Sequence, residues 1–284
     1  MASQWDNFLR NLGEWQGSFT QISPKGEILE STASLLLLEG LEGNQKVRLT
    51  LRRFSSSAEG SSDGKVSELV REYNCLARDI LFFENGAFSQ GSMQLAPYSE
   101  FGAEFGFVAE NRRMRLVQLY NSSGKLSQFT LIREMRAGTN ATERPPLTLQ
   151  QLLGKWQGEA VTLYPDWRAP DNYSTYLELH ETLSGSVVQR LTFGCGAERK
   201  TIESIGSVSE KVLRFNQGAL PMQVLLLPDG ASATSPEQVK LHSPFFLEVG
   251  WLIKPDWRQR LIRSYNEKGE WISLTLVNEH KLSI

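Results

Sequence analysis

Two glutamate–arginine combinations recur at matching places in this chain. Glu104-Phe105-Gly106 precedes Arg115, and Glu248-Val249-Gly250 precedes Arg260. If Ala109–Arg112 is a hairpin loop, Gly106 faces Arg115 and Glu104 faces Val117. Glu104 and Arg115 are then diagonal neighbours on one sheet face, within reach of long side chains. A loop at Ile253–Trp257 likewise sets Gly250 opposite Arg260 and Glu248 opposite Ile262. Arg115 shares its face with Val117 and Leu119, and Arg260 with Ile262. A charge among such neighbours is either paired or poised for a ligand. Two readings stay open, a structural ion pair and a polar anchor inside a cavity. In the second, the planar guanidinium fork takes a carboxylate or propionate bidentately. The glycines, having no side chain, are expected to leave room for the arginines.

Other candidates are weaker. Arg48, Thr50 and Arg52 alternate along one strand face, and Arg190 with Thr192 repeats the start of that pattern. Such a row is a solvated outer face or the basic mouth of a pocket. The three histidines, His180, His242 and His280, have no metal-ligand spacing, so no metal site is expected. Cys195, between two glycines, could pair with His180 as a nucleophile, but a small packed residue is the plainer reading. No glycine-x-serine-x-glycine elbow, phosphate loop or dinucleotide glycine run occurs, and the chain reads as a binding protein more than an enzyme.

The charge balance, 30 Lys and Arg against 32 Asp and Glu for a net of -2, provides no field for a polyanion, so no nucleic-acid partner is expected. Only two cysteines are present, one per half and out of register, which excludes a disulfide framework. Met1–Leu12 lacks a signal peptide's basic and apolar regions, and the most apolar stretches, Leu35–Leu38 and Phe245–Ile253, are too short to span a bilayer. A soluble, cytoplasmic monomer is the expectation.

The elements that must hold these residues are written twice. Leu12-Gly13-Glu14-Trp15-Gln16-Gly17 returns as Leu153-Gly154-Lys155-Trp156-Gln157-Gly158, a shift of 141. Arg48-Leu49-Thr50 matches Arg190-Leu191-Thr192 at 142, and Gly86-Ala87 matches Gly218-Ala219 at 132. Phe101, Glu104 and Gly106 match Phe245, Glu248 and Gly250 at 144, and Tyr120-Asn121 with Gly124 match Tyr265-Asn266 with Gly269 at 145. A period of this size is a duplicated domain, not a solenoid. The expected organisation is one domain over residues 1–138, a polar Pro/Gly-punctuated linker over 139–146, and a second domain over 147–284.

Within each copy, Trp5, Phe8, Leu9 and Leu12 fit one helical face, and Thr148 is placed to cap a second short helix at Leu149–Leu153. Runs rich in Leu, Val, Phe and Thr follow: Val47–Arg53, Leu76–Phe83, Phe101–Val108, Arg113–Tyr120 and Leu126–Ile132 read as strands. Asn85-Gly86 is a two-residue hairpin signal, and Ser55–Gly64 reads as a solvated loop. All-β copies that open with a short helix must protect their sheet edges, which closure into an up-and-down barrel does.

Gly13-x-Trp15 and Gly154-x-Trp156, each at the start of a first strand after a short helix, resemble the first signature of lipocalins and the wider calycin group. The resemblance implies that the tryptophan closes the barrel floor against a basic side chain. The tandem arrangement resembles a family of uncharacterised double-lipocalin proteins of oxygenic phototrophs and covers nearly the whole chain. It implies an all-β fold of two tandem antiparallel barrels, each opened by a helix. The function it implies is non-catalytic binding of a small hydrophobic or amphipathic molecule, a tetrapyrrole, carotenoid or fatty acid, in one or both barrels. The alternatives are a bilin lyase or chaperone-like protein, and a protein-interaction platform with filled barrels.

Overall fold

Up-and-down hairpins order nearly all of the chain. The computed structural model describes residues 2–55, 65–194, 196 and 199–283. Cys195 and residues 56–64 of the serine-rich segment, both singled out above, lie outside the described residues. In the first half, helix α1 (Gln4–Leu9) leads to β1 (Gly13–Ile22), β2 (Ile28–Leu41), β3 (Lys46–Ser55), β4 (Lys65–Tyr73), β5 (Ile80–Phe82), β6 (Phe88–Gly91), β7 (Phe101–Ala109), β8 (Arg112–Tyr120) and β9 (Leu126–Arg136). The second half repeats the plan. Helix α2 (Leu149–Leu152) precedes β10 (Gly154–Leu163), β11 (Asp171–Glu181), β12 (Ser186–Phe193), β13 (Lys200–Ser209), β14 (Val212–Phe215), β15 (Met222–Leu226), β16 (Ala231–Pro236), β17 (Phe245–Lys254), β18 (Trp257–Tyr265) and β19 (Trp271–Lys281). Ser3 caps α1, its hydroxyl accepting from the Asp6 amide while the Asp6 carboxylate accepts from the Ser3 amide.

Among the described residues no strand is exchanged between the halves. β1 to β9 form one antiparallel sheet in the order β4-β3-β2-β1-β9-β8-β7-β6-β5, and β10 to β19 close into a ten-stranded barrel. The first sheet is open between β4 and β5, and register shows why. Phe82 pairs with Phe88 and Phe88 with Gly106, while Leu226 pairs with Ser232 and Ser232 with Gly250. Thus β5 and β6 correspond to β15 and β16 at a constant shift of 144. The true counterpart of Gly86-Ala87 is therefore Gly230-Ala231, not Gly218-Ala219. Strand β14 has no equivalent among the described residues of the first half. It pairs with both β13 and β15 and bridges the gap. The matching stretch of the first half, residues 74–79, leaves the sheet, so the run Leu76–Phe83 yields only the three-residue strand β5. Of Asn85-Gly86, only Gly86 is left-handed (φ 85°), so that turn is not the two-residue type expected.

The halves pack through β7–β8 and β17–β18 about a pseudo-two-fold axis. Phe101 meets its own repeat mate Phe245 at 5.6 Å, and Phe107 meets Trp251 at 6.1 Å. Tyr265 stacks on Phe245 at 4.8 Å. The backbone bonds across the axis are reciprocal. Leu126 N–H donates to Glu237 O and Trp271 N–H to Met93 O; Val239 N–H donates to Gly124 O and Leu95 N–H to Gly269 O. These are the same two bonds, made once in each direction, the pattern of an isologous interface. One hydrophobic cluster runs through both halves, including Ile22, Phe105 and Leu131 from one and Leu225, Val249 and Leu261 from the other. Asp229, fully buried, accepts from Arg112 at 2.7 Å and from the Arg144 amide at 2.7 Å.

Removing the Asp229 carboxylate strands a buried guanidinium, so Asp229→Ala is expected to cost about 3–5 kcal/mol in denaturant unfolding. A chain cut between residues 139 and 142 is expected to run as one particle on size exclusion and to separate only in denaturant, because the shared core survives the cut.

Candidate functional site

The floor of each half is built from the glycine-x-tryptophan motif. Trp15 and Trp156 are fully buried. Each indole N–H donates to a carbonyl four residues back, Asn11 O at 3.0 Å and Leu152 O at 2.9 Å. Cations from the last strand cover them: the Arg136 guanidinium lies 4.5 Å from the Trp15 ring centre and the Lys281 ammonium 5.3 Å from that of Trp156. The glycines make this possible. Gly13 and Gly154 have φ of 132° and 115°, and a Cβ on Gly13 would sit 2.2 Å from Arg136 Nη1.

Above each floor lies a buried four-charge cluster. Arg115 reaches Glu104 at 2.7 Å through Nη1 and holds Glu134 bidentately, Nε at 3.1 Å and Nη2 at 2.9 Å. Arg113 approaches Glu134 at 3.6 Å. In the second half Arg260 reaches Glu248 at 3.2 Å and Glu279 at 3.2 Å, and Arg258 Nε donates to Glu279 at 2.5 Å. The register opposes Gly106 to Arg115 and Gly250 to Arg260, with Glu104 and Glu248 diagonal to the arginines. The space at Gly106, however, belongs to the Phe88 ring, 2.2 Å from an added Cβ. At Gly250 it belongs to Ser232 Oγ at 2.6 Å, with Arg260 Cγ only at 3.7 Å. The expectation that these glycines make room for the arginines is corrected: they admit side chains from the neighbouring strands β6 and β16.

Burial alone would push the Glu134 carboxyl up, but Arg115 and Arg113 outweigh it and hold it below the usual range. Glu279 is lowered likewise, with Arg258 and Arg260 overcoming its burial. Arg115 and Arg260 are raised, since their glutamates outweigh desolvation. Glu134, Glu279, Arg113 and Arg258 were not among the residues the sequence singled out. The signal was present, because Arg113 and Arg258, like Glu134 and Glu279, are related by the shift of 145 that relates Tyr120 to Tyr265.

Two cavities occupy the interior of the first sheet. A lower chamber of about 470 Å³ is lined by Leu36, Leu38, Leu49, Leu69, Phe82 and Phe88, with Asn11, Arg113 and Arg115 among its polar residues. An upper one of about 530 Å³ includes Phe19, Arg53 and Thr130. Leu51, Glu104 and Arg115 border both. The chamber's lining runs from β4 through Cys75, Leu76, Ala77 and Asp79 to β5, along the seam where the sheet is unpaired. Arg48 and Arg190 lie elsewhere. Both are on the outer face, Arg48 paired with Glu72 at 2.8 Å and Arg190 with Glu203 at 3.7 Å. They line neither cavity, because strand alternation turns Leu49 and Leu51 inward in the first case and leaves Arg190 solvated in the second. Arg53 and Arg71 line the cavities instead, on the inward parity of β3 and β4. Among the described residues no group of His, Cys, Asp and Glu could hold a metal, and no helix is long and apolar enough to cross a membrane.

A tandem pair of helix-opened, up-and-down antiparallel sheets, each with a tryptophan floor and a buried arginine–glutamate cluster, defines the class. The chain belongs to the DUF3598 family. It is 52% identical to a DUF3598 protein of unknown function from Nostoc punctiforme PCC 73102, whose crystal structure superposes with a TM-score of 0.91 over 99% of this chain and 100% of that one. The model for the DUF3598 N-terminal domain, a domain of unknown function, matches residues 1–139. The model for the C-terminal domain of biogenesis factor required for ATP synthase 1 matches residues 143–282. An S-type phycobiliprotein lyase from Guillardia theta is 10% identical, with a TM-score of 0.40, over 48% of this chain and 90% of that one. No curated protein matches the chain.

Carboxyls depressed in the fold stabilise it above their unfolded value of 4.5 and lose that contribution as pH falls through the lower folded value. Glu134→Gln and Glu279→Gln are each expected to cost about 3–5 kcal/mol at neutral pH, the cost of breaking a buried pair. Each should also flatten the acid limb of the pH–stability curve, measured by urea unfolding between about pH 7 and about pH 3.

Proposed function

We propose that the first half of the chain binds one small amphipathic molecule inside its sheet, without catalysis. The observation that carries this is the chamber of about 470 Å³ beside the β4–β5 seam, with an apolar wall of leucines and phenylalanines and charged side chains among its lining. Its size and its few converging polar groups are those of a ligand site. The second barrel has its seam bridged by β14, and Leu213 of that strand packs with Leu177, Leu179, Val187 and Leu252 around Trp156. The candidate classes are fatty acids, carotenoids and tetrapyrroles, each with an apolar body, and the acids among them suit the chamber's charged residues.

A second reading is favoured by one observation, the match of residues 143–282 to the C-terminal domain of a factor named for ATP synthase biogenesis. On that reading the outer surface of the second barrel contacts an ATP synthase component during assembly. Both activities can reside in one chain, since one uses an interior and the other an exterior.

Protein purified from its own host without delipidation is expected to release a hydrophobic compound at near one-to-one ratio into organic solvent, read by mass spectrometry. Leu51→Trp, which fills the wall common to both cavities, should abolish that while leaving the circular dichroism spectrum unchanged. An empty wild-type extract that also binds no added amphiphile would overturn the ligand-binding reading. Retention of the second barrel's surface on purified ATP synthase would then support the assembly reading.

A further inference from the structure

The two charge clusters are alike in composition but differ in their hydrogen bonds, and the difference that leaves buried donors unmet falls on one residue. In the second half Arg258 Nε donates to Glu279 at 2.5 Å. Its repeat mate Arg113 has no such bond. Its Nε and Nη1 are buried with no hydrogen-bond partner, and the nearest carboxylate oxygen, on Glu134, is 3.6 Å away. Glu134 cannot turn to it without giving up Arg115, which holds both its oxygens. Arg113 is only 4% exposed, with the Trp15 and Phe88 rings at 5.8 and 5.9 Å from its guanidinium carbon. Arg113 lines the lower chamber, and Asn11 lines the same chamber. Asn11 Oδ1 is likewise buried and unpartnered, its amide nitrogen being committed to Gly86 O at 2.9 Å.

Buried donors of a cation are met in folded proteins, and two guanidinium donors without a hydrogen bond at the wall of the chamber favour an anionic acceptor. Arg115 is the wrong anchor, because two glutamates already neutralise it. Burial, partly offset by Glu134, pushes Arg113 down to about 10, which leaves it a cation at neutral pH. Leu36, Leu38, Leu49 and Leu69 give the chamber an apolar wall suited to an aliphatic chain, while Arg71, Asp79, Gln90 and Glu104 line it elsewhere.

We infer that Arg113 is the headgroup anchor of the chamber and that the ligand is a long-chain monocarboxylic acid, held carboxylate inward. This rests on the reading that the chamber binds an amphipathic molecule. It assigns binding to the first half alone, since Arg258 is satisfied within its own cluster.

The test uses the full chain with cis-parinaric acid and its methyl ester, followed by polyene fluorescence. Wild type is expected to bind the acid more tightly than the ester. Arg113→Met should weaken the acid at least about tenfold, the loss of a charge-assisted bond, with the ester little changed. Arg113→Lys, which keeps the charge but not the planar fork, should fall between them. A measurement on wild type alone guards against a misfolded variant: the carboxyl carbon of 13C-labelled palmitate should not titrate when bound, between about pH 4 and about pH 8. Failure of both acid and ester to bind would remove the chamber reading itself. Equal binding of acid and ester, unaffected by Arg113→Met, would keep the chamber and overturn the anchor, as would a bound carboxyl that titrates like a free one.

Discussion

Strand alternation at the interface between the two sheets sets nearly everything else in this protein. On β7, Phe101, Ala103, Phe105 and Phe107 are buried against the opposing half, and on β17 the repeat mates Phe245, Leu247, Val249 and Trp251 do the same. Because successive side chains point to opposite faces, Glu104 and Gly106 must then face the interior of the first sheet, and Glu248 and Gly250 that of the second. The same holds on the paired strands. Met114 and Leu116 join the interface, so Arg113 and Arg115 turn inward. The charged clusters are therefore a consequence of the apolar packing between halves. A slip of one residue on β7 would put phenylalanines in the cavity and glutamate in the interface.

That arrangement requires compensation, because charges forced inward are costly without partners. Each cluster therefore contains as many carboxylates as guanidiniums, and the deepest of them, Glu134 and Glu279, are fully buried at the centre. The floor adds a second form of compensation, with Arg136 and Lys281 over the indole faces and Arg113 and Arg258 on the same rings. Tryptophan is thus more than a plug, since its ring face offers a negative surface to cations in a place with little water.

The two halves differ in two linked respects. One has β14 and a closed barrel; the other lacks it and retains a seam and a chamber. One satisfies Arg258 within its cluster; the other leaves Arg113 with unmet donors. Closure and saturation go together in the second half, opening and an available cation in the first. The pseudo-symmetric interface has meanwhile kept its reciprocal backbone bonds. Packing between the halves constrains that surface in both copies, whereas the interiors are free to differ.

The amino-acid sequence by itself was enough for the all-β class, the hairpin registers of β7–β8 and β17–β18, and the Glu104–Arg115 and Glu248–Arg260 diagonals. Each of these follows from spacing along the chain: a period of two, and a turn whose length sets the register. Three features came only from the tertiary structure. Whether the first sheet closes depends on whether residues 74–79 stay in it, a competition between coil and strand that no local periodicity records. The function of Gly106 and Gly250 is set by Phe88 and Ser232 on neighbouring strands, which approach through folding and not through sequence proximity. The distinction between Arg48, outward and solvated, and Arg113, inward and unsatisfied, is invisible in the alternation itself. Period two says that residues share a face, and only the packing of one sheet against another says which face is inside.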